Sequence, residues 1–206
     1  AANYLSIDCK DLGVDLMTLN SSKTYGPKGV ALLYIKEGVK IKPLIFGGKQ
    51  ERSLRAGTLN VSGIVGFAKA LELAELEKEE ESRRIEGLRD KFQENIISSI
   101  PDSYFNGHKT KRLPNNFNFS FLGVDSETLV LALSAQGIFI SNGSACSAGE
   151  IKSSYVLEAM GFDEYRCRTA VRISSGRDTS EEDLDHVAMT IIRTVKSLRS
   201  VAGTKY

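Results

Sequence analysis

The sequence lacks tryptophan and contains only three cysteines and two histidines among its 206 residues. Cys9, Cys146 and Cys167 are widely spaced and form no C-x-x-C pair, which argues against a disulfide framework or a zinc site. His108 and His186 lack metal-ligand spacing, so no metal site is predicted. At most one of the cysteines is expected to take part in chemistry.

An excess of charge and long apolar runs are also missing. The 27 Lys and Arg residues balance 26 Asp and Glu residues, giving a net charge of +1, so neither nucleic acid nor an anionic membrane is an expected partner. No run approaches the roughly 20 apolar residues of a membrane span, and no signal-peptide pattern opens the chain. These absences predict a soluble, cytoplasmic protein.

Apolar runs of strand length are mixed with helical periods along the chain, which predicts an α/β or α+β fold. A stretch with few apolar residues near residue 80 predicts a boundary between two domains, 1–79 and 80–206. Thr179 and Glu182 fit a capping box at the start of the last helix. Predicted strands cover residues 14–19, 30–35, 117–121, 138–140 and 170–174, and predicted helices cover 61–84, 85–97, 127–133 and 155–160.

Lys23 follows the first predicted strand and precedes a glycine- and proline-rich turn. A lysine amine can hold a carbonyl cofactor as a Schiff base, and the polar neighbours Asn20, Ser21 and Ser22 can donate hydrogen bonds to a phosphate. The G-x-x-x-x-G-K-[ST] spacing is absent, which disfavours nucleotide hydrolysis. The alternative is that Lys23 is an ordinary solvated lysine.

Two further side chains are candidates for chemistry. Cys146 lies among small residues, Gly143 to Gly149, which leave little bulk to cover a thiol and predict an accessible nucleophile. Arg172 lies on an otherwise apolar strand, where a guanidinium can grip a carboxylate through two hydrogen bonds. The alternatives are a cysteine packed in a turn and an arginine paired with an acidic side chain.

Several short segments follow one another in an order that is typical of one family. They are VDLM at 14–17, SKTYGPKG at 22–29, GGKQE at 47–51, RAGTLN at 55–60, GSAC at 143–146, SYVL at 154–157 and VRISSGR at 171–177. On these segments the chain resembles the pyridoxal-phosphate-dependent cysteine desulfurases of the class V aminotransferase fold type. The resemblance implies an α/β fold that is the C-terminal part of a fold type I transferase, namely the end of the large-domain sheet and an α/β small domain.

The resemblance also implies a reaction. Lys23 would bind pyridoxal 5'-phosphate as a Schiff base, and Arg172 would hold the carboxylate of L-cysteine. Cys146 would attack the substrate sulfur and become a persulfide, with L-alanine as the other product. The persulfide would supply iron–sulfur cluster or thiocofactor assembly.

Cofactor contacts and partners follow from the same resemblance. Asn20, Ser21 and Ser22 would lie at the cofactor phosphate, although the family usually has serine in place of Asn20 and histidine in place of Ser22. Thr58 would reach the phosphate of the neighbouring subunit in a homodimer. The expected partners are a sulfur acceptor or iron–sulfur scaffold protein and the N-terminal half of the fold, without which the chain is predicted to be weakly active or inactive.

Two other functions remain open at this point. One is a selenocysteine lyase, or another cysteine lyase, on the same scaffold. The other is a non-catalytic fragment that binds a scaffold or sulfur acceptor.

Overall fold

The computed structural model describes residues 1–143 and 154–201, and the chain divides into two compact units, Ala1–Glu80 and Glu81–Tyr206. The assignment of the predicted domains, 1–79 and 80–206, to a large-domain remnant and a small domain stays a prediction. No helix in the described part is long and apolar enough to cross a membrane.

The first unit contains a hairpin of two antiparallel strands, β1 (Leu16–Asn20) and β2 (Ala31–Ile35). Leu16 pairs with Ile35 at the open end and Asn20 with Ala31 at the turn end. Both strands were expected from their apolar runs. The turn between them begins with a short 3-10 helix, Ser21–Lys23, so the pairing of the strands fixes where the lysine lies.

A single helix, α1 (Val61–Ser99), replaces the two helices that were predicted on either side of residue 84. The run between them has few apolar residues but many Glu, Lys and Arg residues, which favour helix strongly. Side chains three residues apart also pair there, as in the ion pairs Lys78–Glu75 and Arg84–Glu81. The low apolar content therefore means that this part of the helix is largely exposed to solvent, and it does not mark the end of a helix.

The second unit is built on a three-stranded antiparallel sheet in the order β3-β4-β5. One face of the sheet buries Phe117, Phe119 and Phe121 against Ile96 and Ile191, and all five side chains are fully buried. Alternation of these phenylalanines with polar residues therefore produces one apolar and one polar face. The strands are β3 (Ser103–Phe105), β4 (Asn116–Phe121) and β5 (Ala170–Ser174), and the helices after α1 are α2 (Ser126–Ser134), α3 (Tyr155–Ala159), α4 (Glu164–Arg168) and α5 (Glu181–Val201).

Two local predictions are wrong. Residues 138–140 form no strand, because the pairing with β5 is limited to an isolated bridge at Ser141. The capping box of α5 is formed by Ser180 and Asp183, since the Thr179 hydroxyl instead accepts a hydrogen bond from Gly176 N at 3.0 Å. Strand β3 and helix α4 were not predicted, because both are too short to show a period.

Candidate functional site

The turn that carries Lys23 is held together by the residue at the end of β1. Asn20 Oδ1 accepts hydrogen bonds from the backbone N of Ser22 at 3.0 Å and from Ser22 Oγ at 2.9 Å. This is an N-cap, which satisfies donors at the start of the 3-10 helix. Asn20, Ser22 and Lys23 are all exposed, and the Lys23 carbonyl accepts a hydrogen bond from Asn3 Nδ2 at 3.1 Å.

Ser21 has the opposite orientation. Its side chain is 0% exposed, its backbone N donates to Val30 O at 3.1 Å, and its hydroxyl has no partner among the described residues. A side-chain carbon at Gly26 would collide with Ser21 Oγ and lie 3.1 Å from Ala70 Cβ. Only glycine therefore allows the chain to close over Ser21.

The cap leaves one donor group beside the lysine without an acceptor among the described residues. Because Asn20 presents its oxygen to Ser22, its Nδ2 group is directed elsewhere and keeps its hydrogens available. An amide N–H and an amine on one exposed turn are groups that bind phosphate and that attack a carbonyl. The single hydrogen of the Ser22 hydroxyl is already donated to Asn20 Oδ1, so Ser22 can donate to a phosphate only by giving up that bond. The chemistry of these donors fits a phosphorylated aldehyde cofactor.

The segment around Thr58 contains a strained turn. Glu51, Arg52 and Ser53 all have left-handed backbone angles, with φ of 47°, 54° and 64°. Consecutive left-handed residues other than glycine are rare, and strain of this kind is concentrated at ligand sites. Gln50 Oε1 accepts a hydrogen bond from Gly57 N at 3.2 Å, which ties the turn to the residue before the exposed Thr58.

Arg172 lies in the second unit, on the polar face of the sheet. The register places it opposite Asn118 of β4, and its side chain is half-buried. On the other edge of β5, Ser141 N donates to Arg172 O at 3.1 Å and Arg172 N donates to Ser141 O at 2.6 Å. Within residues 1–143 and 154–201 no carboxylate forms an ion pair with Arg172.

Cys146 lies outside the described residues. Of the other cysteines, Cys167 is 2% exposed, and burial, reinforced by the carboxylates of Glu158 and Asp163, raises the pKa of its thiol. A buried thiol with a raised pKa is a poor nucleophile. Cys9 is half-buried, with its thiol 3.9 Å from Ile7 O.

The structure thus brings Asn20, Ser22 and Lys23 together in one unit and places Arg172 in the other. A cleft of about 780 Å³ in the second unit, beside Tyr165, is lined by none of the predicted site residues. Sequence reasoning did not single out Asn118, the neighbour of Arg172. The signal was present, because Asn118 occupies a polar position between two buried phenylalanines.

Comparison with known proteins gives consistent results. The chain is 43% identical over 202 residues to a protein named cysteine desulfurase IscS from Dictyoglomus turgidum, and 44% identical over 202 residues to one of the same name from Methanosarcina thermophila. Each alignment covers 98% of this chain but only 51% or 50% of the relative. The chain therefore spans about half the length of the curated relatives that it matches.

Solved structures show the same relationship. A structure named NifS-like protein superposes with a TM-score of 0.85 at 34% identity, covering 96% of this chain and 50% of that one. A NifS-like protein from Rickettsia africae superposes with a TM-score of 0.83 at 26% identity, covering 95% and 51%. The fold is accordingly that of part of a NifS-like protein, which agrees with the fold that the motifs predicted.

Residues 1–187 match the family model described as aminotransferase class-V, and the chain belongs to that family. The resemblance that was inferred from the segments around Lys23 and Arg172 is confirmed at the level of the family.

Proposed function

We propose that this chain is part of a cysteine desulfurase, in which it supplies the cofactor lysine, the substrate-binding arginine and the sulfur-accepting cysteine. The observation that carries the proposal is the exposed Lys23 on a turn capped by Asn20, within a chain of the class-V family. An amine that follows a strand can react with the aldehyde group of a phosphorylated aldehyde, while the neighbouring hydrogen-bond donors bind its phosphate.

Pyridoxal 5'-phosphate would be held by the amine of Lys23 at its aldehyde carbon and by the Asn20 Nδ2 group at its phosphate. Ser22 would join the phosphate contacts by turning its hydroxyl hydrogen from Asn20 Oδ1 to the phosphate. The burial of Ser21 favours these two side chains over the Ser21 hydroxyl as phosphate donors. Thr58, exposed beyond the strained turn, would reach the phosphate site of a second subunit. When bound, the cofactor supplies an electron sink for carbanion chemistry.

The residues of this chain would act on L-cysteine in two ways. The Arg172 guanidinium would bind the substrate carboxylate, and the Cys146 thiolate would attack the substrate sulfur. The C–S bond breaks and an S–S bond forms, the electron pair of the C–S bond stays with carbon, and that carbon takes a proton. The products are L-alanine and a persulfide on Cys146, so no external oxidant or reductant is needed.

The complete enzyme would require further polypeptide. The proposed arrangement is a homodimer in which residues 1–79 complete a large cofactor domain and residues 80–206 form the small domain, with the N-terminal half of the fold as a partner. Leu44, Ile45 and Phe46 are consecutive apolar residues that are 93%, 50% and 81% exposed. They support contact with another polypeptide, because contiguous exposed apolar side chains mark interaction sites. The persulfide would pass to a sulfur acceptor or an iron–sulfur scaffold protein, most simply in the cytoplasm.

The test is alanine production from L-cysteine by the chain assembled with the other half of the family fold and loaded with pyridoxal 5'-phosphate. Lys23→Ala and Cys146→Ala should each abolish alanine release, whereas Lys28→Ala, on the same loop, should retain it. Alanine release that survives both of the first two changes contradicts the proposal. Faster release of selenide from selenocysteine than of sulfur from cysteine would assign the lyase alternative instead.

A further inference from the structure

A row of polar side chains runs from Arg166 on α4, through Asn106 just after β3 and Asn118 on β4, to Arg172 on β5. It begins at Arg166, whose Nε and terminal nitrogen donate to Asn106 Oδ1 at 3.0 and 2.8 Å. A guanidinium has only donors, so the group that faces it must be the oxygen of the Asn106 amide. Asn106 is 1% exposed, so water cannot replace its hydrogen-bond partners. A flipped Asn106 amide would point its N–H donors at the donors of Arg166, so the flipped orientation is excluded.

The orientation of Asn106 determines that of the next amide in the row. Asn106 Nδ2 donates to Asn118 Oδ1 at 2.8 Å and to Ser120 Oγ at 2.8 Å, while Ser120 Oγ donates onward to the carbonyl of Arg166 at 2.9 Å. Asn118 must therefore present its oxygen toward Asn106. Its Nδ2 group, with two N–H donors, is left for a different partner.

The strand order shows where that partner would be. Strand β4 lies between β3 and β5, so Asn106 approaches Asn118 from one side and Arg172 is directly opposite on the other. Side chains directly opposite each other on one face of a sheet have Cβ atoms about 4.5 to 5.5 Å apart. No described residue accepts a hydrogen bond from Asn118 Nδ2.

Asn118 and Arg172 are thus directly paired across the two strands, and neither the Asn118 Nδ2 group nor the Arg172 guanidinium has an acceptor in the described part of the chain. Donors so arranged can bind an anion, and a carboxylate has two oxygens with about four lone-pair sites. Such an anion can accept the two parallel bonds of a guanidinium and one more from an amide.

We propose that Asn118 is a substrate-binding residue, which donates a hydrogen bond to the same substrate carboxylate that Arg172 binds. This inference rests on the function proposed above and adds a second donor to its substrate site. Arg166 and Asn106 determine which way the Asn118 side-chain amide is oriented, with its oxygen toward Asn106. The Arg166 guanidinium is itself held over the ring of Phe162, with its central carbon 4.0 Å from the ring centre.

The test uses the chain assembled with the other half of the fold and loaded with cofactor. KM and kcat are measured with L-cysteine, and the inhibition constant is measured for cysteamine, which has the thiol and amine but no carboxylate. Asn118→Leu should raise KM about tenfold or more with kcat within about twofold, because a hydrogen bond to a charged group is lost. The inhibition constant of cysteamine should not change.

Asn118→Asp keeps the size of the side chain and its acceptor oxygen for Asn106, so it covers the case in which the leucine variant does not fold. It should raise KM further, since a carboxylate would face the substrate carboxylate. The matched control is Asn116→Asp on the same strand, whose oxygen accepts from Arg112 and which should change KM by less than about twofold.

The outcomes separate the two proposals. If Arg172→Ala raises KM and both Asn118 variants behave like Asn116→Asp, the role of Asn118 is wrong and the proposed function stands. If Arg172→Ala leaves KM unchanged, the carboxylate site of the proposed function is wrong, and the inference fails with it. An equal rise in KM and in the cysteamine constant would show that Asn118 acts only on structure, which also overturns the inference.

Discussion

Ser141 and Arg172 are joined by two backbone hydrogen bonds, from Ser141 N to Arg172 O and from Arg172 N to Ser141 O. The chain segment that leads toward Cys146 is therefore attached to the strand that carries the proposed substrate-binding arginine. The bridge holds the start of that segment beside Arg172, which supports the proposed action of Cys146 and Arg172 on one substrate.

We expect Ser141→Pro to destabilise the second unit. Proline has no N–H, so the bond to Arg172 O is lost, and the free energy of unfolding should fall by about 1 to 3 kcal/mol. Ser141→Ala keeps the backbone donor and loses only the hydroxyl contacts with Gly143, in which Ser141 Oγ donates to Gly143 O at 2.9 Å and accepts from Gly143 N at 3.4 Å. Urea denaturation of the two variants measures the difference, and equal midpoints would show that the bridge contributes nothing.

Gly26→Ala should destabilise the first unit, because the added methyl group collides with Ser21 Oγ and crowds Ala70. Overpacking of this kind lowers the free energy of unfolding by about 1 to 3 kcal/mol. Gly87→Ala is the control, because that glycine lies within α1 with open space where the methyl group would be added, and alanine there should stabilise the helix by about 0.5 to 1 kcal/mol. Denaturation midpoints that shift in the same direction would contradict the close approach at Gly26.

Ser21→Ala should leave cofactor binding intact. The Ser21 hydroxyl is buried without a partner among the described residues, so its removal should leave the free energy of unfolding unchanged or raise it by about 1 kcal/mol. Asn20→Ala, which removes the cap and a proposed phosphate donor, should weaken the binding of pyridoxal 5'-phosphate. A spectroscopic titration of the assembled enzyme compares the two, and weaker binding in Ser21→Ala alone would reverse the assignment.

The capping box of α5 predicts a dependence of stability on acid pH. Hydrogen bonds from the backbone and the hydroxyl of Ser180 hold the pKa of Asp183 below its usual value. The folded state therefore binds the Asp183 proton less readily than the unfolded state, so this stabilisation is present above about pH 4 and is lost as the pH falls through the folded pKa.

Asp183→Asn removes this titration, so its stability should fall less steeply below about pH 4 than that of the parent chain. The pKa of Asp8 is also lowered, mainly by a hydrogen bond from the backbone N–H of Lys10. Asp8 is present in both proteins, so its contribution to the pH dependence is the same in each. Urea midpoints over this pH range measure the two slopes. Identical slopes would contradict the Ser180–Asp183 pair, and Glu182→Ala serves as the control at the position that the sequence favoured.

Strongly periodic elements could be predicted from the sequence, and contacts between distant segments could not. The alternation around Phe119 and the apolar run of β2 determine strands locally, so both were expected. The polar run Asn20, Ser21 and Ser22 does not reveal which hydroxyl turns inward, because packing against Gly26 decides it. The pairing of Asn106 with Asn118 likewise depends on two strands meeting.

The family and the positions of Lys23 and Arg172 in their elements were predicted correctly, while the roles of these residues stay predictions. The motifs identify the family because the chemistry of its site requires particular residue types in a particular order along the chain. The motifs do not show that residues 138–140 form no strand and that Ser141 alone pairs with β5. The length of this pairing depends on the three-dimensional path of both segments.

The mass of the intact chain after reaction with L-cysteine tests the central claim most directly. The chain is assembled with the other half of the fold, loaded with cofactor, given L-cysteine and analysed by mass spectrometry without reductant. We expect one added sulfur atom on Cys146, released by a thiol reductant and absent in Lys23→Ala. Alanine formed without sulfur on Cys146, or sulfur bound at Cys9 or Cys167 in its place, would contradict the account.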